Sequence, residues 1–334
     1  RMDTKELLSA VETELQKQVS RLDSPRTKPF HEMLTYHMGW TGDGAGPEAT
    51  GKRIRPLLVL LCASACGADW KSALPAAAAI ELVHNFSLVH DDIQDNSPKR
   101  RGRDTAWVKW GAPMAINVGD ALFVMSSQAI LDLKNSYSAD VVVKAAEILH
   151  NTCLDLTRGQ YLDMSYEERN DLGVEDYWHM ISGKTSALIA ACCHIGALLG
   201  GADDEKQEVY RSFGHYLGLA FQVQDDILGI WGDENVTGKS TASDLVEGKN
   251  SLPILAGLDK KGKFAERWMQ GPIQPEEVGE VSRLLASEGG LLAAQEAAKQ
   301  MTDLALMNLR EADPQGEAGD ALFELTNRLL GRTQ

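Results

Sequence analysis

The chain has 334 residues, 43% of them hydrophobic, and its 33 Lys and Arg against 48 Asp and Glu leave a formal charge of −15. That length holds one large or two ordinary domains. The acidic balance and the lack of a basic stripe exclude an electrostatic nucleic-acid binder. No run reaches the ~18 to 20 unbroken apolar residues of a transmembrane helix.

In chain order, Arg1 precedes a Met2 that reads as a native start, and no signal peptide is visible. Residues 1–50 read as an N-terminal helix and a flexible loop, Gly42-Asp43-Gly44-Ala45-Gly46-Pro47, packing on a core that spans 51–334. Apolar-periodic stretches follow at Ala73–Leu88, Ala112–Asn135, Ala139–Leu156, Lys184–Leu199 and Gln207–Leu228. They are rich in Ala, Leu and Met, with Gly and Pro mostly at their ends, which predicts helices. Ser282–Ser287 and Asp313–Gly319 read as surface connections, and Glu276–Leu309 and Ala318–Leu330 as amphipathic packing helices. Alternating strand patterns are nearly absent, so the prediction is a single-domain, all-α helical bundle. The five cysteines (62, 66, 153, 192 and 193) sit among apolar neighbours and read as buried reduced thiols of a cytoplasmic protein.

Two carboxylate clusters interrupt the apolar pattern: Asp91-Asp92-Ile93-Gln94-Asp95 after Phe86–His90, and Asp225-Asp226 after Leu219–Val223. An unpaired charge buried in such surroundings is strongly unfavourable. Asp91 and Asp95 are four apart, so a helix projects both from one face, a turn from each other. Two such helices facing each other would make an oxygen-lined cleft suited to Mg²⁺, a hard cation that keeps waters and shares phosphate oxygens with a substrate. Either cluster alone reads equally well as a solvated cap or turn. The cations favour the site. Lys99-Arg100-Arg101-Gly102-Arg103 follows the first cluster, and Gly238-Lys239-Ser240 and Glu247-Gly248-Lys249 follow the second. Gly51-Lys52-Arg53-Ile54-Arg55-Pro56 lies upstream and Gly183-Lys184-Thr185 between. Arg offers phosphate a rigid fork and Lys a point charge. The pattern suits a polyanion held through metal and cations together.

Two decoys fail. Gly46-x4-Gly51-Lys52 imitates a P-loop, but Arg53 stands where Ser or Thr would hold the metal, and no strand precedes it. Glu81-x-x-His84 and Glu147-x-x-His150 have di-iron spacing, but the lone inward glutamates of two further helices are missing.

Between Gly51 and Pro253 the ordered set GKRIRP, ELVHN, DDIQD with RRG, GQYLD, GKT, FQVQDD and GKSTASDLVEGKNSLP resembles the trans-isoprenyl diphosphate synthase family. The family makes geranyl, farnesyl, geranylgeranyl and longer polyprenyl diphosphates. The resemblance implies the isoprenoid-synthase bundle around a central cavity and a homodimer. It also implies a head-to-tail 1′–4 condensation of isopentenyl diphosphate with an allylic diphosphate. Asp91 and Asp95 would bind two Mg²⁺ and Asp225 a third, with Asp92 and Asp226 supporting. Arg100, Lys184 and Lys239, and Lys249 more weakly, would grip the allylic diphosphate. Gln222, Gln160, Asp163 and Thr185 would orient its head or the metal waters. Lys52, Arg55, His84 and Arg101 would hold isopentenyl diphosphate, and the departing diphosphate would take the proton. A class I terpene cyclase on the same fold is the alternative, but it lacks use for a second diphosphate pocket.

The family's second motif usually ends in Asp, where this chain has Gly229; Asp233, two turns on from Asp225, is the candidate substitute. Product length falls to Ser87, one turn or about 6 Å before Asp91, and Val83 a further turn back. Phe86 five before the cluster and Ser87 four before it resemble short-chain synthases of the geranylgeranyl (C20) type, with farnesyl (C15) or longer products open.

Overall fold

The computed structural model describes residues 1–233 and 242–331. Their contacts group into two compact units, Arg1–Cys153 with Ala191–Arg211 and Ala312–Phe323, and Leu154–Ala190 with Ser212–Glu311 and Glu324–Gln334.

The first unit is built on helices α1 (Thr4–Val19), α2 (Lys28–His37), α3 (Pro47–Thr50), α4 (Ile54–Ala65), α5 (Leu74–Gln94), α6 (Ala106–Trp110) and α7 (Ala112–Leu131). Asp3 caps α1 by accepting from Lys5 N, and Pro75 and Pro113 sit in the first turns of α5 and α7, where their missing N–H costs nothing. The α4 run Leu57–Ala63 is apolar all round and buried, the signature of an interior helix. Four consecutive alanines, Ala76–Ala79, are likewise fully buried on α5. Between α5 and β1 the chain turns at Asn96 (φ 54°). Strands β1 (Lys99–Arg100) and β2 (Arg103–Asp104) form an antiparallel hairpin pairing Lys99 with Asp104 and Arg100 with Arg103.

Helices α8 (Ala139–Tyr166) and α11 (Asp204–Trp231) start in the first unit and end in the second, and α10 (Ala187–Leu199) does the reverse. The second unit also holds α9 (Val174–Ile181), α12 (Ser243–Val246), α13 (Leu252–Asp259), α14 (Lys263–Met269) and α15 (Val278–Ser287). Most of α16 (Gly290–Ala312) lies there, and α17 (Gly316–Leu329) closes the described chain. One core cluster joins Tyr177, Ile181, Val223 and Leu252; a second joins Ile230, Leu245, Ile254 and Phe264.

Two expectations are corrected. Ser282–Ser287 is not a connection but the end of α15, and the long C-terminal helix is two, broken at Glu288 and Gly289, whose φ is 95°. The helix stops there because a left-handed residue ends it, a role for which glycine is suited. Trp70–Gln94, Ala112–Asn135 and Val174–Leu199 are long and apolar enough to cross a membrane by length and composition, although no unbroken apolar run is. Scattered polar residues explain the difference. Of those apolar windows 67%, 44% and 67% are buried inside the protein, so packing already uses much of that surface.

Candidate active site

In the first unit the site grows from the last three turns of α5. Asp91 is partly exposed and Asp95 exposed, while Asp92 points inward and is buried. The inward carboxylate is held by a bidentate fork, Arg100 Nε to Asp92 Oδ2 at 2.9 Å and Nη2 to Oδ1 at 2.7 Å. Hairpin geometry delivers that arginine. The two turn residues, Arg101 (φ 51°) and Gly102 (φ 76°), are both left-handed, as a tight primed turn demands. Arg101 packs against Gly51, where an added Cβ would stand 2.6 Å from the guanidinium, and donates to Ala49 O at 3.3 Å.

Two turns before Asp91, α5 carries His84, and nearly three turns before it Glu81. Arg55, whose Nε is buried, and Arg101 lie close enough to Glu81 to feel its charge. Burial lowers the Arg55 pKa despite Glu81. It also brings Arg101 down to about 10, helped by Arg100. His84 is held well below the usual imidazole range, first by burial, then by Arg55, Arg101, Arg100 and Arg53. Lys52 is exposed beside this cluster in sequence. Three of the residues that the sequence singles out, Arg55, His84 and Arg101, are therefore gathered in one unit as a desolvated cation pair with a neutral imidazole, and Lys52 adjoins them in sequence. Neither ring nor guanidinium belongs to an iron cage: Glu81 faces arginines, and His150 shares a hydrogen bond with Ser127 at 2.9 Å.

In the second unit Asp226 is fully buried on α11 and works as a hub. Tyr177 OH donates to its Oδ2 at 2.5 Å, Gln222 Nε2 to its Oδ1 at 2.9 Å, and Lys249 Nζ lies 3.4 Å from Oδ1. Burial raises the Asp226 carboxyl against the pull of Lys249, Tyr177 and Gln222. Burial alone would lower Lys249, but Asp226 and Asp244 outweigh it and keep the ammonium charged. Thr185 donates to Gln222 Oε1 at 2.9 Å, so Gln222 is turned with its amide towards Asp226. Asp225, next to the hub, is partly exposed.

Lys184 and Thr185 lie in a π-helical turn, Ser182–Ser186, between α9 and α10, a distortion that recurs at functional sites. Two glycines let it press on α8. A Cβ on Gly159 would strike the backbone of Gly183 and Lys184, and one on Gly183 would come within 2.5 Å of Asp155 O. That approach puts Lys184 in an ion pair with Asp163, one turn after Gly159, and places buried Gln160 on the same helix. Lys239 lies outside the described residues.

Sequence reasoning missed three participants. Tyr177 carries no motif. Glu81 was legible in the ELVHN motif and as half of a false iron motif, but with no partner assigned to it. Asp244, 3% exposed on α12, sits over Gly229 so closely that a Cβ there would land inside its carboxylate. The acid opposite the missing motif residue is thus Asp244 from another element, where the sequence pointed to Asp233. The signal available was the pair Gly229 and Ser243-Asp244-Leu245, which only packing brings together.

Among the described residues no three Asp, Glu, His or Cys side chains converge as a closed metal cage. Mg²⁺ does not ask for one: it is held by one or two carboxylates, waters and substrate phosphates. Asp91 and Asp95, partly exposed and exposed on α5, supply hard oxygen donors in the first unit, and partly exposed Asp225 on α11 supplies one in the second, so each group fits Mg²⁺ by donor chemistry.

Helices throughout, with one two-residue hairpin as the strand content of the described chain, define an all-α enzyme of the isoprenoid synthase fold. The chain belongs to the polyprenyl synthetase family, whose model matches residues 46–286, and is a prenyltransferase. It is 40% identical to a geranylgeranyl diphosphate synthase of Mycobacterium tuberculosis over 85% of this chain and 83% of that one. It is 36% identical to a (2E,6E)-farnesyl diphosphate synthase of Mycobacterium bovis over 95% and 89% of the two chains. The crystal structure of a polyprenyl synthetase from Streptomyces coelicolor A3(2) superposes with a TM-score of 0.86 at 36% identity, covering 96% of both chains.

Proposed function

We propose that this prenyltransferase is a short-chain prenyl diphosphate synthase. It would condense isopentenyl diphosphate with an allylic diphosphate and stop at geranylgeranyl diphosphate. The observation that carries this reading is on α5. His84, kept neutral beside the buried cations Arg55 and Arg101, stands on α5 seven residues, or roughly 10 Å of helix, before Asp91 and one turn more before Asp95. A metal-free diphosphate pocket beside a metal-binding carboxylate pair is what two diphosphate substrates need, and a cyclase with one substrate has no use for it.

In this reading Asp91, Asp95 and Asp225 hold Mg²⁺, three ions in all, and Asp92 and Asp226 support them from the interior. When bound, the metal stabilises the negative charge that develops on the leaving diphosphate. Arg100, Lys184, Lys249 and Lys239 grip the allylic diphosphate, and the carboxylate partners of the first three fix where their charges stand before substrate arrives. Such pre-set charge lowers the barrier because little reorganisation remains at the moment of ionisation. Gln222, Gln160, Asp163 and Thr185 orient the allylic head. Lys52, Arg55 and Arg101 bind isopentenyl diphosphate as cations, and His84, kept neutral, offers it an N–H donor. The departing diphosphate takes the proton.

The product stop falls on Phe86. Its ring lies against Phe123 of α7, centroids 4.5 Å apart, and edge-on to His90 at 5.9 Å. Val83 is fully buried one turn below Ser87. Opposed aromatic rings resist displacement by a growing chain, since overpacking costs about 1 to 3 kcal/mol. The homologues named for geranylgeranyl and farnesyl products bracket the C20 and C15 readings. Residues 51–334 act as the catalytic core in a cytoplasmic homodimer.

The test is incubation with Mg²⁺, isopentenyl diphosphate and, in turn, dimethylallyl, geranyl and farnesyl diphosphate, with products read by mass spectrometry. A ladder ending at C20, extended by Phe86→Ala, supports the reading. Consumption of the allylic substrate alone, giving a hydrocarbon or alcohol, would replace it with a terpene synthase.

A further inference from the structure

Arg53 lies between Lys52 and Ile54, two residues before Arg55, and its side chain is buried. It is 5% exposed and has a left-handed backbone (φ 52°) at the start of α4. A non-glycine residue in that region costs of order 1 kcal/mol and persists only where its surroundings over-determine it. The surroundings do so here. Arg53 Nε donates to Glu12 Oε1 at 2.5 Å, Nη2 to Met38 O at 3.2 Å, and Nη1 lies 3.6 Å from Glu81 Oε1. Glu12, on α1, is itself oriented: its second oxygen accepts from Trp40 Nε1 at 2.8 Å. Glu81 is tied on its other side by Asn85, whose Nδ2 donates to its Oε1 at 3.2 Å, and Asn85 Oδ1 lies 3.0 Å from His37 Nε2.

We propose that Glu12, through Arg53, is a positioning residue for the isopentenyl diphosphate pocket, so that the N-terminal helix is a working part of the site and not packing alone. The inference rests on the reading of Lys52, Arg55, His84 and Arg101 as that pocket.

The charge arithmetic favours it. Arg53, Arg55 and Arg101 all face Glu81, which is one carboxylate for three guanidiniums. Glu12 takes up the Arg53 charge, so the Glu81 carboxylate stays available to hold the Arg55 and Arg101 guanidiniums in place for a diphosphate. Holding Arg53 also fixes the backbone on which Lys52 and the first turn of α4 are carried. Removing the Glu12 charge would turn Arg53 onto Glu81 and loosen the loop, and both effects fall on the substrate bound by Lys52 and Arg55. The allylic diphosphate, gripped elsewhere, would be spared. A purely structural role predicts the opposite pattern, a loss of stability with both substrates affected alike.

The experiment measures KM for each substrate and kcat in Glu12→Gln and Glu12→Asp, with Lys52→Ala as the control for the pocket. Expected is a rise of about tenfold in KM for isopentenyl diphosphate in Glu12→Gln, the factor carried by one lost charge-assisted hydrogen bond. KM for the allylic substrate and kcat should stay within about twofold, and Glu12→Asp should recover much of the loss. If Lys52→Ala raises the isopentenyl KM but Glu12→Gln moves both KM values equally or neither, Glu12 is no positioning residue and the pocket reading stands. If Lys52→Ala leaves the isopentenyl KM unchanged, the pocket reading falls and takes the inference with it. Should Glu12→Gln fail to fold, Trp40→Phe removes one hydrogen bond to the same carboxylate. A smaller shift in the same direction is then expected, and no shift overturns the proposal.

Discussion

Gly229 shows how one missing side chain can be a requirement. Its backbone is ordinary helix, so the constraint is space: Asp244 occupies the volume a Cβ would take. Gly229→Ala should displace that carboxylate from Lys249, 3.7 Å away, and destabilise the protein by about 1 to 3 kcal/mol. A urea melt would read the loss, and the Mg²⁺ concentration for half-maximal activity should rise, since the acid nearest the second motif has moved. An unchanged midpoint would show that Asp244 is not held there. A second residue-scale expectation concerns acid. Burial and the cations Arg100 and Arg101 lower the His37 pKa from the ordinary imidazole range to about 3. The unfolded chain therefore binds a proton near the ordinary pKa of ~6.5 that the folded chain refuses. The stabilisation is complete above that value and is lost as pH falls towards 3, by at most ~1.4 kcal/mol per pH unit. Denaturant midpoints from pH 7 to 4 should fall less steeply in His37→Asn than in the parent protein.

Among the elements, the π turn at Ser182–Ser186 depends on the two glycines that let it touch α8. Gly159→Ala must push Lys184 N away, so Lys184 and Asp163 should separate. The prediction is a drop in kcat of about tenfold or more, as misplaced charge weakens leaving-group stabilisation, with far-ultraviolet circular dichroism unchanged. A variant with normal kcat would mean that the close approach serves packing only. The glycine pair was visible in GQYLD and GKT, but nothing in either motif says that the two touch. In contrast the helices themselves were largely legible: the stretches at 112–135, 139–156, 184–199 and 207–228 contain or fall within observed helices, because a 3.6-residue apolar period survives in sequence. The break at Glu288-Gly289 was not, since Gly290 and its neighbours continue an amphipathic pattern across it. The Gly42–Pro47 segment, flexible by composition, is bound by Arg103, whose Nε donates to Asp43 O at 2.9 Å and Nη2 to Thr41 O at 2.6 Å.

At the scale of the molecule, α7 presents an unusual outer face. Val124 is 59% exposed, Leu131 52%, Met114 50% and Ile116 47%, and apolar side chains grouped so on one helix mark an interaction surface. A second copy of the chain is the proposed occupant. In the proposed homodimer Val124→Asp should give monomer in sedimentation, and self-association of unchanged affinity would remove α7 from the interface. The sequence by itself determined the helical class, the order of the motifs and the types of residue at the site. Each of those is written within a turn or two of chain, as Asp91 with Asp95 or Glu81 with His84. Only the tertiary structure decided which charges meet. Arg100 is spent on Asp92, Tyr177 and Lys249 on Asp226, Glu12 on Arg53, and Asp244 fills the place above Gly229. Those partners lie from 8 to 49 positions apart, beyond the reach of helical periodicity. Packing of one element on another sets their distances, and no local pattern encodes it.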